Sequence, residues 1–395
     1  MGSEWREVRL SQLADEITVG HVGPMPAYVE DGIPFLRSQN VDRLRINEAG
    51  VKSIDSASHG RLRKSALHPG DVVIVRTGRP GACAVIPPSL PVANCSDLVI
   101  VRCGRELDPW FLAYYINSAA LHGVSSQVVG AVQQHFNIGS ARDLTIRLPD
   151  LATQREVVEI LRALDDKIEL NRRMSETLES MARAIFRYWF IDFDPMRVGS
   201  FGEVAEIVRD PQDPAGLPEV FFDHYSLPAF DAGQRPVVEL GAAIKSLKFR
   251  IPEGAVLMSK LNPDIDRVWL VDLERKRPSI GSTEFLVLRP RPPYGRCYLY
   301  CLARSEGFRR DLQALATGTS NSHQRAQWDG VLGIQVPEPP TRLAQEFERT
   351  VKPILDQRTG ATRQSLALSK LRDSLLPRLL SGSKLPLKEM RWTGQ

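Results

Sequence analysis

Residues 154–189 read QREVVEILRALDDKIELNRRMSETLESMARAIFRYW. Val157, Leu161, Leu164, Ile168, Asn171, Ser175, Leu178, Ala182, Ile185 and Trp189 fall at alternating steps of four and three, the spacing of a heptad seam. No proline or glycine interrupts the run, and the flanks carry Arg155, Glu156, Asp165, Asp166, Lys167, Glu169, Arg172 and Arg173. A helix of this length measures on the order of 55 Å at ~1.5 Å per residue. Its apolar stripe is too narrow to fill a globular core, so it requires a partner helix. Polar Asn171 and Ser175 inside the seam trade stability for a fixed register.

The partner is expected near the C-terminus. Residues 343–380 carry Leu343, Phe347, Val351, Ile354, Ala361, Leu368, Leu371, Leu375 and Leu379 at comparable spacing. Pro353 and Gly360 are expected to interrupt the first half, so the seam is assigned chiefly to Leu368, Leu371 and Leu375. Two long helices, each following a globular segment, make an antiparallel pair with a head at each end.

The heads read as repeats. In the first, Ile33-Pro34-Phe35-Leu36-Arg37, Asp71-Val72-Val73-Ile74-Val75-Arg76 and Leu98-Val99-Ile100-Val101 are short apolar runs bounded by Gly and Pro, hence strands. Asp108-Pro109 opens a helix at Trp110. Gly130 and His135 recur as Gly318 and His323 at one offset of 188 (318 − 130 and 323 − 135), as do Ile146 and Pro149 in Ile334 and Pro337. Asp97, before its apolar run, answers Glu284 before Phe285-Leu286-Val287-Leu288. The fold class is therefore α+β: two tandem α/β domains separated by two long helices forming an antiparallel coiled coil. The Pro-, Gly- and Asp-rich stretch 196–236 reads as a connector.

At 395 residues with 25% charged residues and a net charge of +4, the composition is that of a multidomain globular protein that tolerates an acidic partner. No apolar run is long enough to span a membrane and residues 1–10 lack a signal-peptide pattern, so a cytoplasmic location is expected. The five cysteines show no metal or redox spacing. No phosphate-binding GxxxxGK[ST] loop is present. Arg291-Pro292-Pro293-Tyr294 has the outline of an amino-methyltransferase loop, but its arginine cannot accept a hydrogen bond from a target amine.

A pair of similar heads suits a ligand that repeats along an axis, and duplex DNA repeats every ~3.4 Å along a strand. The candidate DNA-binding residues are Arg37, Ser38, Gln39, Asn40, Arg76, Thr77, Arg79, Gln133, Gln134 and His135 in the first head. In the second they are Lys260, Asn262, Ser320, Asn321, His323, Gln324 and Arg325. Amide groups pair bidentately with adenine and guanidinium with guanine. No catalytic or metal-binding residue is assigned. A stand-alone DNA-modifying enzyme and a structural adaptor that binds only proteins are the competing readings.

These residues resemble the specificity subunit of type I restriction-modification systems. The resemblance rests on Gly32-Ile33-Pro34-Phe35-Leu36-Arg37, Pro69-Gly70-Asp71-Val72-Val73, Leu148-Pro149 with Gln154, Leu164-Asp165-Asp166-Lys167-Ile168-Glu169-Leu170-Asn171, and Tyr188-Trp189-Phe190-Ile191-Asp192-Phe193-Asp194-Pro195. It extends through Leu375-Leu376-Pro377-Arg378-Leu379-Leu380. It implies target-recognition domains at 1–150 and 237–340, conserved spacer helices at 151–195 and 341–395, and a connector at 196–236. It further implies that each head reads half of a bipartite DNA target and that the helices set the spacer. Two modification (methyltransferase) subunits, which bind S-adenosylmethionine, dock on such a chain, and a restriction subunit (a translocase and nuclease) can join. No cofactor is expected on the chain itself. One departure stands out: with Leu10 matched to Leu240 and Gly70 to Gly254, the second head lacks an equivalent of residues 20–65 and places Arg235 where Trp5 stands.

Overall fold

The computed structural model describes residues 5–122, 136–192, 196–271, 277–317 and 324–381. The chain divides into two compact units, Met1–Ile168 with Leu366–Gln395, and Glu169–Ser365.

In the first unit, strand Val72–Val75 lies between Cys83–Val85 and Leu98–Cys103, and the latter pairs with Ala14–Val19. The run is buried on both faces, as an unbroken apolar strand requires. Alternate residues serve different cores. Val72, Ile74, Val99 and Val101 pack with Phe111 and Leu112 of helix Pro109–His122. Val73, Val75, Leu98 and Ile100 pack with Leu36, Leu67 and Ala93 of a five-stranded sheet. Asp108 caps the helix by accepting from the Trp110 and Phe111 amides at 2.9 and 3.1 Å. Fully buried Gln154 ties the long helix to this head: it accepts from the Asp108 amide at 2.9 Å and donates to the Glu106 and Pro149 carbonyls. Val157, Val158 and Leu161 of the first long helix, Leu151–Arg187, share one core with Leu375, Leu376, Leu379 and Leu380 of the second, Thr341–Ser381.

The second unit repeats this order. Val256–Ser259 is flanked by Val268–Leu270 and Phe285–Pro290, which pairs with Ala205–Val208. Strand Val198–Ser200 pairs with Gln335–Pro337, as Arg6–Arg9 pairs with Thr145–Leu148 in the first unit. The Phe201 amide donates to the Ile334 carbonyl, as the Leu10 amide does to Leu144, both at 2.8 Å. Strand Phe221–Tyr225 runs parallel to Ser279–Gly281, as Ile33–Leu36 runs parallel to Ala93–Cys95.

These pairings correct two expectations. Residues 196–236 are not a connector, since strands Val198–Ser200, Ala205–Val208 and Phe221–Tyr225 belong to the second head. Nor does that head begin at 237 or lack the Phe35-Leu36 strand. Phe201, not Leu240, answers Leu10, and Gly70 still answers Gly254, each at positive φ (92° and 73°) just before its central strand. Arg235 therefore has no bearing on the place of Trp5.

The long helices also depart from expectation. The second runs unbroken for 41 residues through Pro353 and Gly360. Pro353 sits on its exposed face, while Ala344, Phe347, Val351 and Leu355 are buried. That packing offsets the roughly 3 kcal/mol that an internal proline costs. Within the second unit the pair is antiparallel: Asn171 Nδ2 donates to Gln364 Oε1 at 2.9 Å, and Phe186 and Phe190 meet Phe347 at 5.8 and 5.0 Å. Val157, Leu161, Asn171, Leu178 and Leu375 are buried, and Leu164, Ile168 and Leu368 half-buried. Phe186 and Phe190, rather than Ile185 and Trp189, are the deepest residues at the end of the first helix. An α-helix drifts about 20° per heptad against a strict 3.5-residue repeat, which moves the seam over by one position. Leu371 is 39% exposed; Arg372 turns inward beside it.

Among the described residues no helix is long and apolar enough to cross a membrane. The five thiols are reduced and at least half-buried. Burial raises their pKa values, that of Cys103 to about 12.

Candidate nucleic-acid interface

In each head the central strand ends on a cation. Strand Val72–Val75 runs into Arg76, and Val256–Ser259 runs into Lys260. In each, an acid stands one residue before the neighbouring antiparallel strand: Asp97 before Leu98–Cys103, Glu284 before Phe285–Pro290. In each, the chain returning from the polar loop bonds the cation's own carbonyl, the Phe136 amide to Arg76 and the Ala326 amide to Lys260, both at 3.0 Å. Three features thus recur at the same end of two sheets: a cation, an acid and the root of an amide-rich loop.

In the first head the acid gathers its surroundings. Arg76 Nη1 donates to Asp97 Oδ1 at 2.7 Å, and Thr77 Oγ1 to Asp97 Oδ2 at 3.1 Å. Ser38 Oγ reaches the Asp97 carbonyl at 3.5 Å. Asp97 holds φ +52°, a left-handed backbone that a short polar side chain tolerates. Arg79 Nη1 is bound by Asp42 Oδ1 at 2.6 Å, and Arg37 Nη2 by the Gly50 carbonyl at 3.1 Å. Gln39 is exposed. Asn40 is not available to a ligand: it is 1% exposed, accepts from the Arg37 amide at 3.1 Å and donates to the Asn47 carbonyl at 3.2 Å. It is a turn cap, the other use of an Asn in a polar loop.

In the second head, Arg325 forms a forked pair with Glu284, Nη2 to Oε1 at 3.0 Å and Nε to Oε2 at 3.2 Å. The hydrogen bonds and charge of Glu284 push the guanidinium pKa further up. Asn262, at φ +48°, donates its amide to the Gln324 carbonyl at 2.8 Å. Gln324 and Arg325 are thereby fixed beside Lys260. Gln133, Gln134, His135, Ser320, Asn321 and His323 lie outside the described residues. The acids were legible only as a recurrence; that they bind the candidate arginines was not.

Residues 62–180 match the family model of the type I restriction modification DNA specificity domain. Over 58 residues the chain is 48% identical to the type I restriction enzyme HindI specificity subunit of Haemophilus influenzae, covering 15% of this chain and 13% of that protein. It is 22% identical over 272 residues to the type I restriction enzyme MjaIX specificity subunit of Methanocaldococcus jannaschii, covering 61% of each. Over these stretches the chain is similar to type I specificity subunits.

The chain thus spans between 13% and 61% of the lengths of these two curated relatives. The crystal structure of a type I restriction-modification system S subunit from M. genitalium shares the fold, with a TM-score of 0.63 over 96% of both chains at 13% identity. The region of this chain that matches the family model contains Arg76, Asp97 and residues 151–180 of the first long helix.

The acid–arginine pairs have a measurable consequence. Replacing Glu284 by glutamine removes a negative charge beside Arg325 and Lys260. Affinity for a random duplex at low salt is expected to rise several-fold and the gain to fade as salt is added. Fluorescence anisotropy across a salt series checks this; an unchanged affinity removes Arg325 from the DNA-facing surface.

Proposed function

We propose that this chain is the sequence-reading, non-catalytic component of a type I restriction-modification complex in the cytoplasm. Each head reads one half of a bipartite double-stranded DNA target, and the helix pair sets the spacer between the halves. Two modification subunits dock on the chain and carry S-adenosylmethionine; restriction subunits join that assembly. The observation that carries the reading is the recurrence of one cation–acid–loop station in both heads (Arg76 with Asp97, Lys260 with Glu284). An isolated polar turn has many uses, whereas the same turn built twice on the same strand ends suits a ligand with two similar halves. Docking of partner subunits is supported by Leu170, Met181, Tyr188 and Ile191, which are 56%, 47%, 56% and 51% exposed on the first long helix and its final turn. Exposed apolar residues at helical spacing suit a further helix.

The direct test is selection from a library of random bipartite duplexes by the chain assembled with its modification partner. A two-part motif with a fixed spacer is expected, and binding of all members with equal affinity overturns the reading. Removing two heptads from residues 157–189, with a matched deletion in the second helix, is then expected to shorten the spacer. Two heptads amount to ~21 Å of helix, or about six base pairs. An unchanged spacer refutes the ruler role.

A further inference from the structure

The two long helices are equivalent halves of a repeat, yet their buried polar residues are not equivalent. In the first unit Asp165 Oδ1 accepts from Arg372 Nη1 at 2.6 Å, and Asp165 Oδ2 accepts from the Tyr114 hydroxyl at 2.6 Å. In the second unit Glu179 Oε2 meets Arg358 Nε at 2.8 Å and accepts from the Tyr300 hydroxyl at 2.7 Å. Glu179 also pairs with Arg304 at 2.9 Å. Asn171 donates to Gln364 at 2.9 Å. All four ionic side chains are between 13% and 26% exposed.

The numbering relates these layers. Asn171 and Gln364 are 193 residues apart; so are Asp165 and Arg358 (358 − 165), and Glu179 and Arg372 (372 − 179). At this single offset the amide pair maps onto itself, and each ionic layer maps onto the positions of the other. A chain of two identical halves would then place one acid and one arginine on each helix. Here both acids are on the first helix and both arginines on the second. A second copy of the first helix, set in place of the second, would put Asp165 against Glu179 and Glu179 against Asp165. A second copy of the second helix would put Arg358 against Arg372 twice.

We infer that these layers are a partner-selection surface: the first helix fits the second helix, of its own chain or of another copy, and rejects its own kind. Like charges facing each other at half-buried positions are strongly disfavoured. The apolar seam carries no such distinction, because Val158 and Val351, or Ala182 and Leu375, are buried alike at the same offset. The ionic layers therefore supply the discrimination that the greasy contacts lack, as charged flanks do in coiled coils generally.

The full-length chain tests this with two single substitutions, Asp165→Arg and Arg372→Glu. Each places like charges in one layer and is expected to lower the thermal midpoint. When the two variants are unfolded and refolded together, the arginine of one chain fits the glutamate of the other. A mixed dimer containing one copy of each is expected by native mass spectrometry, with the midpoint regained. Mixed dimers should outnumber same-variant dimers on the order of 100-fold. The chain carrying both substitutions is expected to regain the midpoint as a single-chain species. If a single variant does not fold alone, the mixture and the double variant still give the reading. The inference is overturned if either single variant melts as the parent does, if the mixture yields no mixed dimer, or if the double variant is no more stable than the singles.

Discussion

Replacing Phe347 by alanine is expected to cost the second unit about 3–5 kcal/mol, the usual range for emptying a fully buried phenylalanine site. Its ring is completely buried and lies 5.0 Å from Phe190, 5.8 Å from Phe186 and from Trp189, and 6.3 Å from Tyr298. Edge-on aromatic contacts of this kind add to the area term. The loss falls on the part of the second helix that also bears Pro353 and Gly360, whose intrinsic costs in a helix interior are roughly 3 and 1 kcal/mol. Without the aromatic anchor, the buried packing that offsets those costs in residues 341–360 is reduced to the smaller Ala344, Val351 and Leu355. Hydrogen exchange is therefore expected to show this segment opening first, and urea unfolding to show an early transition. Leu371→Ala is the control: the side chain is 39% exposed, and its loss is expected to change stability by no more than about 0.5 kcal/mol. Equal effects of the two substitutions would mean that the helix is held by something other than its aromatic cluster.

The contrast between Phe347 and Leu371 marks where the sequence could be read and where it could not. Val72–Val75 and Leu98–Cys103 are announced by short unbroken apolar runs, and the first long helix by a period of three and a half. Leu371 and Arg372 are adjacent, and only the register of the partner decides which turns inward. The start of the second head was missed for a related reason. Val198–Ser200 gains its identity by pairing with Gln335–Pro337, more than a hundred residues away, and it precedes a segment whose Pro and Gly content reads as a connector. Strand Val237–Leu240, followed by Gly241, offered a local match to Leu10 that the long-range pairing overrides. At the site, charge and recurrence were visible, but ion pairing was not. Arg76 and Asp97 lie 21 residues apart and Arg325 and Glu284 lie 41 apart. Asn40 shows the remaining ambiguity, since the amide that could read a base is spent on its own turn.

Substitutions in the head stations are expected to separate affinity from discrimination. Arg76→Ala and Lys260→Ala each remove a cation from a strand end whose backbone is fixed by the returning loop. If these groups meet phosphates, as the proposed function requires, binding should weaken by a similar factor for every duplex, and the salt dependence should fall by about one counterion. Alanine at Gln133, Gln134 and His135 together should instead erase discrimination in one half of the target and leave the other half intact. The same change at Asn321, His323 and Gln324 should affect only the other half. Each bidentate amide contact is worth about 1–3 kcal/mol against a wrong base, so the loss in the affected half should reach about 100-fold or more. Binding-site selection with each variant measures both quantities. The decisive feature is reciprocity: a head that reads its half independently loses only that half. If either triple variant blurred both halves at once, the heads would not be independent readers, and recognition would have to be sought in a surface that both depend on.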